Sequence, residues 1–205
     1  MPVLKLGFAL EGNSDYPIIP RLARRLIAEY DPAIVLANDP VLRPRKRGHG
    51  FIRELPNFAQ QLGDDGVDIV VAIVDTDSTQ VNERRRLLQE ARQRCTAIGV
   101  GVCLADGLAV HALEAWLLAD EAAVFAVFDG VRSAVTFPSP EQDLTPKATL
   151  NGIVRTLTQG QEVSFVPFAE EMVQHMRLKV LRQRCSHFDE FARNLINCVK
   201  EWERA

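Results

Sequence analysis

The chain has 205 residues, 47% hydrophobic and 25% charged, which is ordinary globular composition. Its formal net charge of −3 excludes general coating of nucleic acid, so any such contact must come from local basic patches. No apolar run approaches the ~18 residues of a membrane span, and the segment from Met1 to Leu6 leads into a strand without signal-peptide character. A cytoplasmic protein with no membrane association is expected. The four cysteines, Cys95, Cys103, Cys185 and Cys198, show neither C-x-x-C nor C-x-H spacing. Buried free thiols are therefore expected, with no zinc site and no disulfide framework.

Val3 to Leu10 reads as a first strand. It breaks at Glu11-Gly12-Asn13-Ser14-Asp15, where Ser14 or Asp15 is a plausible N-cap and Gly12 supplies a backbone angle other residues avoid. Ile18, Ile19, Leu22, Leu26 and Ile27 recur at helical spacing to about Tyr30. Ala33 to Ala37 is a short second strand. Asn38 to Gly50 is a loop carrying Arg43, Arg45, Lys46, Arg47 and His49. Phe51, Leu55, Phe58, Ala59 and Leu62 fit a helix ending at Gly63.

Ile69 to Val74 is apolar without alternation, the mark of a strand buried on both faces of a parallel sheet. It runs into Asp75-Thr76-Asp77. Thr79 to Cys95 is a charged helix with a narrow stripe at Leu87, Leu88 and Ala91. The triplet Arg84-Arg85-Arg86 is read as a solvated face. Gly99 to Ala105 is the last strand, ending in a turn at Asp106-Gly107. Val110 to Phe128 is one long apolar helix containing Glu114, Trp116 and Asp120, with Trp116 in the core. Gly130 to Pro146 is a loop; Lys147 opens a helix to about Leu157, and Pro167 onward is helical. The order implies one doubly wound α/β domain, residues 1–130, with a loop and helical extension, residues 131–205, packed on it. Apolar positions in the last stretch offer a face for a homodimer.

Ligands of open α/β sheets bind beyond the carboxyl ends of the strands. Glu11 and Asp15 follow the first strand, Asp75 and Asp77 the central one, and Asp106 and Glu114 the last. Converging carboxylates repel unless a cation neutralises them, and Mg²⁺ (or Mn²⁺) takes such oxygen ligands. Each residue has a plainer alternative. Asp15 and the aspartates at Asp75-Thr76-Asp77 could cap helices, Lys147 could be a helix-start residue, and His111 a hydrogen-bonded structural residue.

Glu11-Gly12-Asn13-Ser14-Asp15 after a strand, followed by Asp75-x-Asp77 after a later strand, resembles the Toprim fold of topoisomerases, primases and overcoming-lysogenisation-defect nucleases. The stretch Glu114-Ala115-Trp116-Leu117-Leu118-Ala119-Asp120, with Pro146-Lys147 after it, is similar to small Toprim-like proteins associated with phage defence. The resemblance covers roughly residues 3 to 150 and departs from the nuclease pattern at Asp15, where a glutamate is usual. It implies a Toprim-like Rossmannoid domain, a parallel sheet of about four strands flanked by helices. It implies Mg²⁺-dependent phosphodiester hydrolysis of DNA or RNA. Glu11 would be a metal ligand or acid/base, and Asp75 and Asp77 metal ligands. Asp15 and Glu114 would hold or orient metal, and Lys147 would offset phosphate charge. The basic loop at Arg43, Arg45, Lys46 and Arg47 is the candidate nucleic-acid contact. No G-x-x-x-x-G-K-[ST] loop occurs, so an ATP-driven step needs a partner ATPase.

Two alternatives remain. Asp75-Thr76-Asp77-Ser78-Thr79 also reads as D-x-D-x-T, the nucleophile motif of haloacid-dehalogenase-like phosphatases. The third reading is a non-enzymatic Toprim-like binding or scaffold protein.

Overall fold

The computed structural model describes residues 3–12, 14–37, 48–99, 101–128, 135–161 and 164–205, with the backbone of 41–42. Strands β1 (Val3–Leu4) and β2 (Leu6–Leu10) are followed by helix α1 (Ile19–Tyr30). Two short strands, β3 (Val35–Leu36) and β4 (Val41–Leu42), precede α2 (His49–Asp64). Then come β5 (Ile69–Thr76), α3 (Val81–Ala97) and β6 (Cys103–Val110). The remainder is helical: α4 (Glu114–Leu117), α5 (Glu121–Val127), α6 (Pro146–Leu157), α7 (Phe165–His175), α8 (Leu178–Arg184) and α9 (Ser186–Trp202).

All strand pairs are parallel. The main sheet has the order β4-β2-β5-β6, and β1 pairs β3 beside it. The chain leaves β2 toward β4 on one side and returns through α2 to β5 on the other. The carboxyl ends of β2 and β5 therefore flank a topological switch point, where open α/β sheets bind their ligands.

Strand periodicity sorts the side chains into two cores. Leu6, Phe8 and Leu10 of β2 and Ile69, Val71 and Ile73 of β5 point to the face covered by α1 and α9. Val70, Ala72 and Val74 point to the face covered by α2 and α3. Both faces being buried explains why β5 is a continuous apolar run.

In β6 the same alternation corrects the reading of Asp106-Gly107 as a turn that ends a strand. Both residues lie inside the strand, with Asp106 opposite Ala72 and Gly107 opposite Ile73. Asp106 points toward α3, where Arg92 Nε stands 3.0 Å from its carboxylate. Gly107 points toward α9, and a Cβ there would lie 2.8 Å from Phe191 Cβ, so only glycine admits the helix this closely. Tertiary partners override the local turn propensity.

The expected long helix from Val110 to Phe128 is also corrected. Val110 ends β6, His111 takes the left-handed φ of +66°, and two short helices follow. Asp120 separates them by capping α5, accepting from Ala122 N–H at 3.2 Å. Trp116 is fully buried, against Phe188 and Phe191 of α9, as the sequence indicated.

Phe188, Phe191, Leu195 and Val199, the apolar positions read as a dimer face, are buried in the chain's own core. Cys103 and Cys198 form a disulfide, contrary to the expectation of free thiols; only Cys95 and Cys185 are free. Their sequence separation of 95 lies beyond any local spacing rule, and α9 packing along β6 brings them together. Among the described residues no helix is long and apolar enough to cross a membrane.

Candidate metal centre

The carboxyl ends of β2, β5 and β6 carry the acidic residues to one edge. Leu10 pairs Ile73, so Glu11 leaves the sheet beside Val74 and Asp75. Asp75 pairs Ala109 and Thr76 pairs Val110, and Thr76 O accepts from His111 N–H at 2.8 Å. That bond, with the left-handed backbone at His111, turns the chain sharply from β6 into Glu114 at the start of α4. Positive φ is uncommon outside glycine and concentrates at functional sites. Sequence reading missed this role of His111; no local pattern signals it.

Asp15 is almost wholly buried in the turn before α1. Its carboxylate accepts from Gly12 N–H at 2.8 Å and from the Ser14 hydroxyl at 3.3 Å, and it does not cap α1. Gly12 is required here for space: a Cβ would sit 2.9 Å from the Asp15 carboxylate. Among the described residues its φ is not one of the positive ones, which corrects the reading of Gly12 as an angle-supplying glycine.

Burial, first, pushes Asp15 up to about 6 from 3.8, assisted by the charges of Glu114 and Glu11 and opposed by the bonds from Gly12 and Ser14. Asp75 is pushed up further, to about 7. Its surroundings desolvate it, and Asp15, Glu11 and Glu114 each add repulsion, while Lys147 pulls the other way. Asp75 nevertheless keeps a solvent-accessible side chain at the strand end. Such perturbed carboxylates mark functional sites more often than structural ones.

Five predicted residues, Glu11, Asp15, Asp75, Glu114 and Lys147, thus form one electrostatic cluster. Lys147 stands exposed at the start of α6, which packs against α4. Glu114 is buried. Asp77 lies one step past the strand, exposed, at the entrance of a 3₁₀ turn (Ser78–Gln80) that its side chain does not cap. Arg43, Arg45, Lys46 and Arg47 lie outside the described residues. Gly48, which follows them, does reach the site: its N–H donates to the Glu11 carboxylate. This backbone donor is a second feature the sequence reading missed.

The donor set is all carboxylate oxygen, which suits a hard divalent cation. As they stand, no three His, Cys, Asp or Glu side chains among the described residues close around a common point. Two contacts account for this, since Glu11 turns to Gly48 and Asp15 to Gly12 and Ser14.

A cavity of about 640 Å³ lies elsewhere, between α5, α8 and residues 135–137. Asp120 and Arg177 on its wall pair with each other. Asp120 is fully buried and accepts from Arg177 N–H, Nε and Nη2 at 2.8, 3.0 and 2.6 Å. Burial would raise this carboxyl, but the Arg177 bonds prevail and hold it below its ordinary range. It is a structural pair, and the cavity contains none of the edge carboxylates.

No match was found among curated proteins or solved structures. A family model described as a domain of unknown function, DUF4276, matches residues 10–196, from the end of β2 through most of α9. The match takes in every element that builds the carboxylate edge, and the chain belongs to the DUF4276 family.

Proposed function

We propose that the chain is a Toprim-type nuclease, hydrolysing phosphodiesters of DNA or RNA with Mg²⁺ or Mn²⁺. The observation that carries this reading is the electrostatic coupling of Asp75 to Asp15, Glu11 and Glu114, with Lys147 pulling the other way and Asp75 raised to about 7. Carboxylates that repel one another at the mouth of a sheet would be favoured in their ionised form by a cation among them. The Toprim-like order of the motifs supports the same reading.

Asp75 would hold the cation, with Glu114 and Asp15 supporting it and Asp77 reaching in from the strand end. The cation would lower the pKa of a bound water and neutralise charge on the phosphate. Glu11 keeps one carboxylate oxygen free of Gly48 to take the water's proton. Lys147 offsets negative charge on the phosphate. The edge is open to solvent, as the backbone of a polynucleotide requires. A partner ATPase, in a phage-defence setting, would supply any ATP-driven step.

The test incubates the protein with plasmid, single-stranded DNA and RNA in Mn²⁺, beside Asp75→Ala. Cleavage by the wild type and its loss in the variant support the reading; cleavage that survives the substitution contradicts it. Two other readings give different signals. Stable beryllofluoride capture on Asp75 would point to the phosphatase mechanism. Nucleic-acid binding without any divalent-cation binding would point to a scaffold.

A further inference from the structure

The edge of the sheet opposite the carboxylates carries different chemistry. Cys103 opens β6, and Cys198 lies in the last third of α9. Their disulfide is the one covalent tie, among the described residues, between the sheet and the helix that covers it. Two cavities, of about 400 and 310 Å³, share Cys103 and Cys198 as wall residues. They also share Thr96, Val102 and Glu201, so they adjoin one another, and both open onto the bond. Cys103 is partly exposed and Cys198 is buried. Glu201 Oε2 stands 3.5 Å from Cys103 Sγ, placed to accept its S–H once the bond is open. Accessible disulfides are the labile and regulatory ones, whereas inaccessible ones resist exchange.

We propose that Cys103–Cys198 is a thiol-exchange site, a removable staple for α9 that small aliphatic thiols open. An incoming thiolate attacks Cys103 Sγ, the exposed sulfur. A new S–S bond forms between Cys103 and the small thiol while the Cys103–Cys198 bond breaks, and Cys198 leaves as a thiolate that takes a proton from water. A second small thiolate attacks the outer sulfur of the mixed disulfide. It releases the oxidised small disulfide, and the Cys103 thiolate takes a proton and donates its S–H to Glu201. The small thiol is oxidised and the protein disulfide reduced, two electrons in all.

Cys95 lines both cavities as well. It is nearly inaccessible, and burial pushes its thiol up, so it stays protonated and takes no part.

The staple closes a loop long enough to stabilise the native chain substantially. The rest of α9 is held by packing, with Phe191 on Gly107 and Asn194 Nδ2 donating to Asp106 O at 3.0 Å. Opening the bond therefore loosens the tail without dismantling the core.

The experiment treats the native, air-oxidised chain with a small thiol such as 2-mercaptoethanol, then quenches with alkylator for peptide mass mapping. Two free thiols before treatment, a transient adduct on Cys103 and four free thiols after it are expected. The Tm should fall by about 5–15 °C on reduction. Cys103→Ser and Cys198→Ser should each match the reduced wild type, and reduction should not lower them further. Four free thiols in the oxidised protein, adduct on Cys198 or Cys95 alone, or an unchanged Tm on reduction would each overturn the proposal. If neither variant folds, the reduced wild type still decides it.

Discussion

Asp120 and Asp75 are the same side chain in opposite company. Asp120 is fully buried, yet its carboxyl is held low because Arg177 and Ala122 supply four hydrogen bonds. Asp75 is reachable by solvent, yet its carboxyl is raised to about 7 because its neighbours are desolvating walls and other carboxylates. Burial alone does not separate a structural acid from a functional one; partners do. At Asp120 the chain's own donors outweigh burial, whereas at Asp75 Lys147 does not outweigh burial and the neighbouring carboxylates.

The sharpest way to break this contrast is to remove Asp120. Asp120→Ala takes the partner from Arg177 and uncaps α5; because Arg177 is itself exposed, the loss is that of the cap and the hydrogen bonds, about 1–3 kcal/mol, or several degrees in Tm by thermal denaturation. A loss near zero would mean that the pair is not structural. At the other site the sign should reverse. Asp75→Asn removes repulsion, so it should raise Tm at neutral pH by a few degrees, by roughly 2–4 °C per kcal/mol. The same change should lower nuclease activity by about 100-fold or more, since even partners of metal ligands cost ~10–100-fold.

The pH dependence sharpens the contrast further. Asp75 and Asp15 have folded-state values raised from 3.8 to about 7 and about 6. The folded chain therefore binds their protons more tightly than the unfolded one. Their stabilisation is complete below 3.8 and is lost as pH rises through about 6 to 7. Asp106, pushed up to about 6 chiefly by burial against the pull of Arg92, contributes with the same sign, so Asp75→Asn should flatten only part of the slope. Asp120 runs the other way: its value is lowered, so its stabilisation is present above 3.8 and lost only below it. Tm measured across this range should fall toward neutral pH and fall again in acid. The smallest effect expected is that of Lys147→Ala. Its ammonium is exposed, so kcat should drop by about tenfold, less than for a donor in a water-excluded site.

The strand ends and turns that carry the acidic residues were legible in the sequence because strand and turn patterns are local. The apolar run of β5 gives way to Asp75 one residue before the strand ends, the break after β2 holds Glu11 and Asp15, and Pro146-Lys147 opens a helix where expected. What was illegible depends on distant partners. Asp106-Gly107 reads as a turn unless Arg92 and Phe191 are known to stand on its two faces. The stretch from Val110 to Phe128 reads as one helix because its apolar residues hide the left-handed break at His111 and the cap at Asp120. The Cys103–Cys198 bond and the Gly48 donor to Glu11 exist only after the chain has folded.

Under the proposed function, the carboxylate edge binds a divalent cation through Asp75. Calorimetric titration of Mn²⁺ into wild type and Asp75→Asn, repeated in buffers of different ionisation enthalpy, tests it most directly. The expected result is saturable binding with proton release near neutral pH, as Asp75 ionises on ligation, and loss of both in the variant. Absence of binding at millimolar Mn²⁺, or equal binding by the variant, would contradict it.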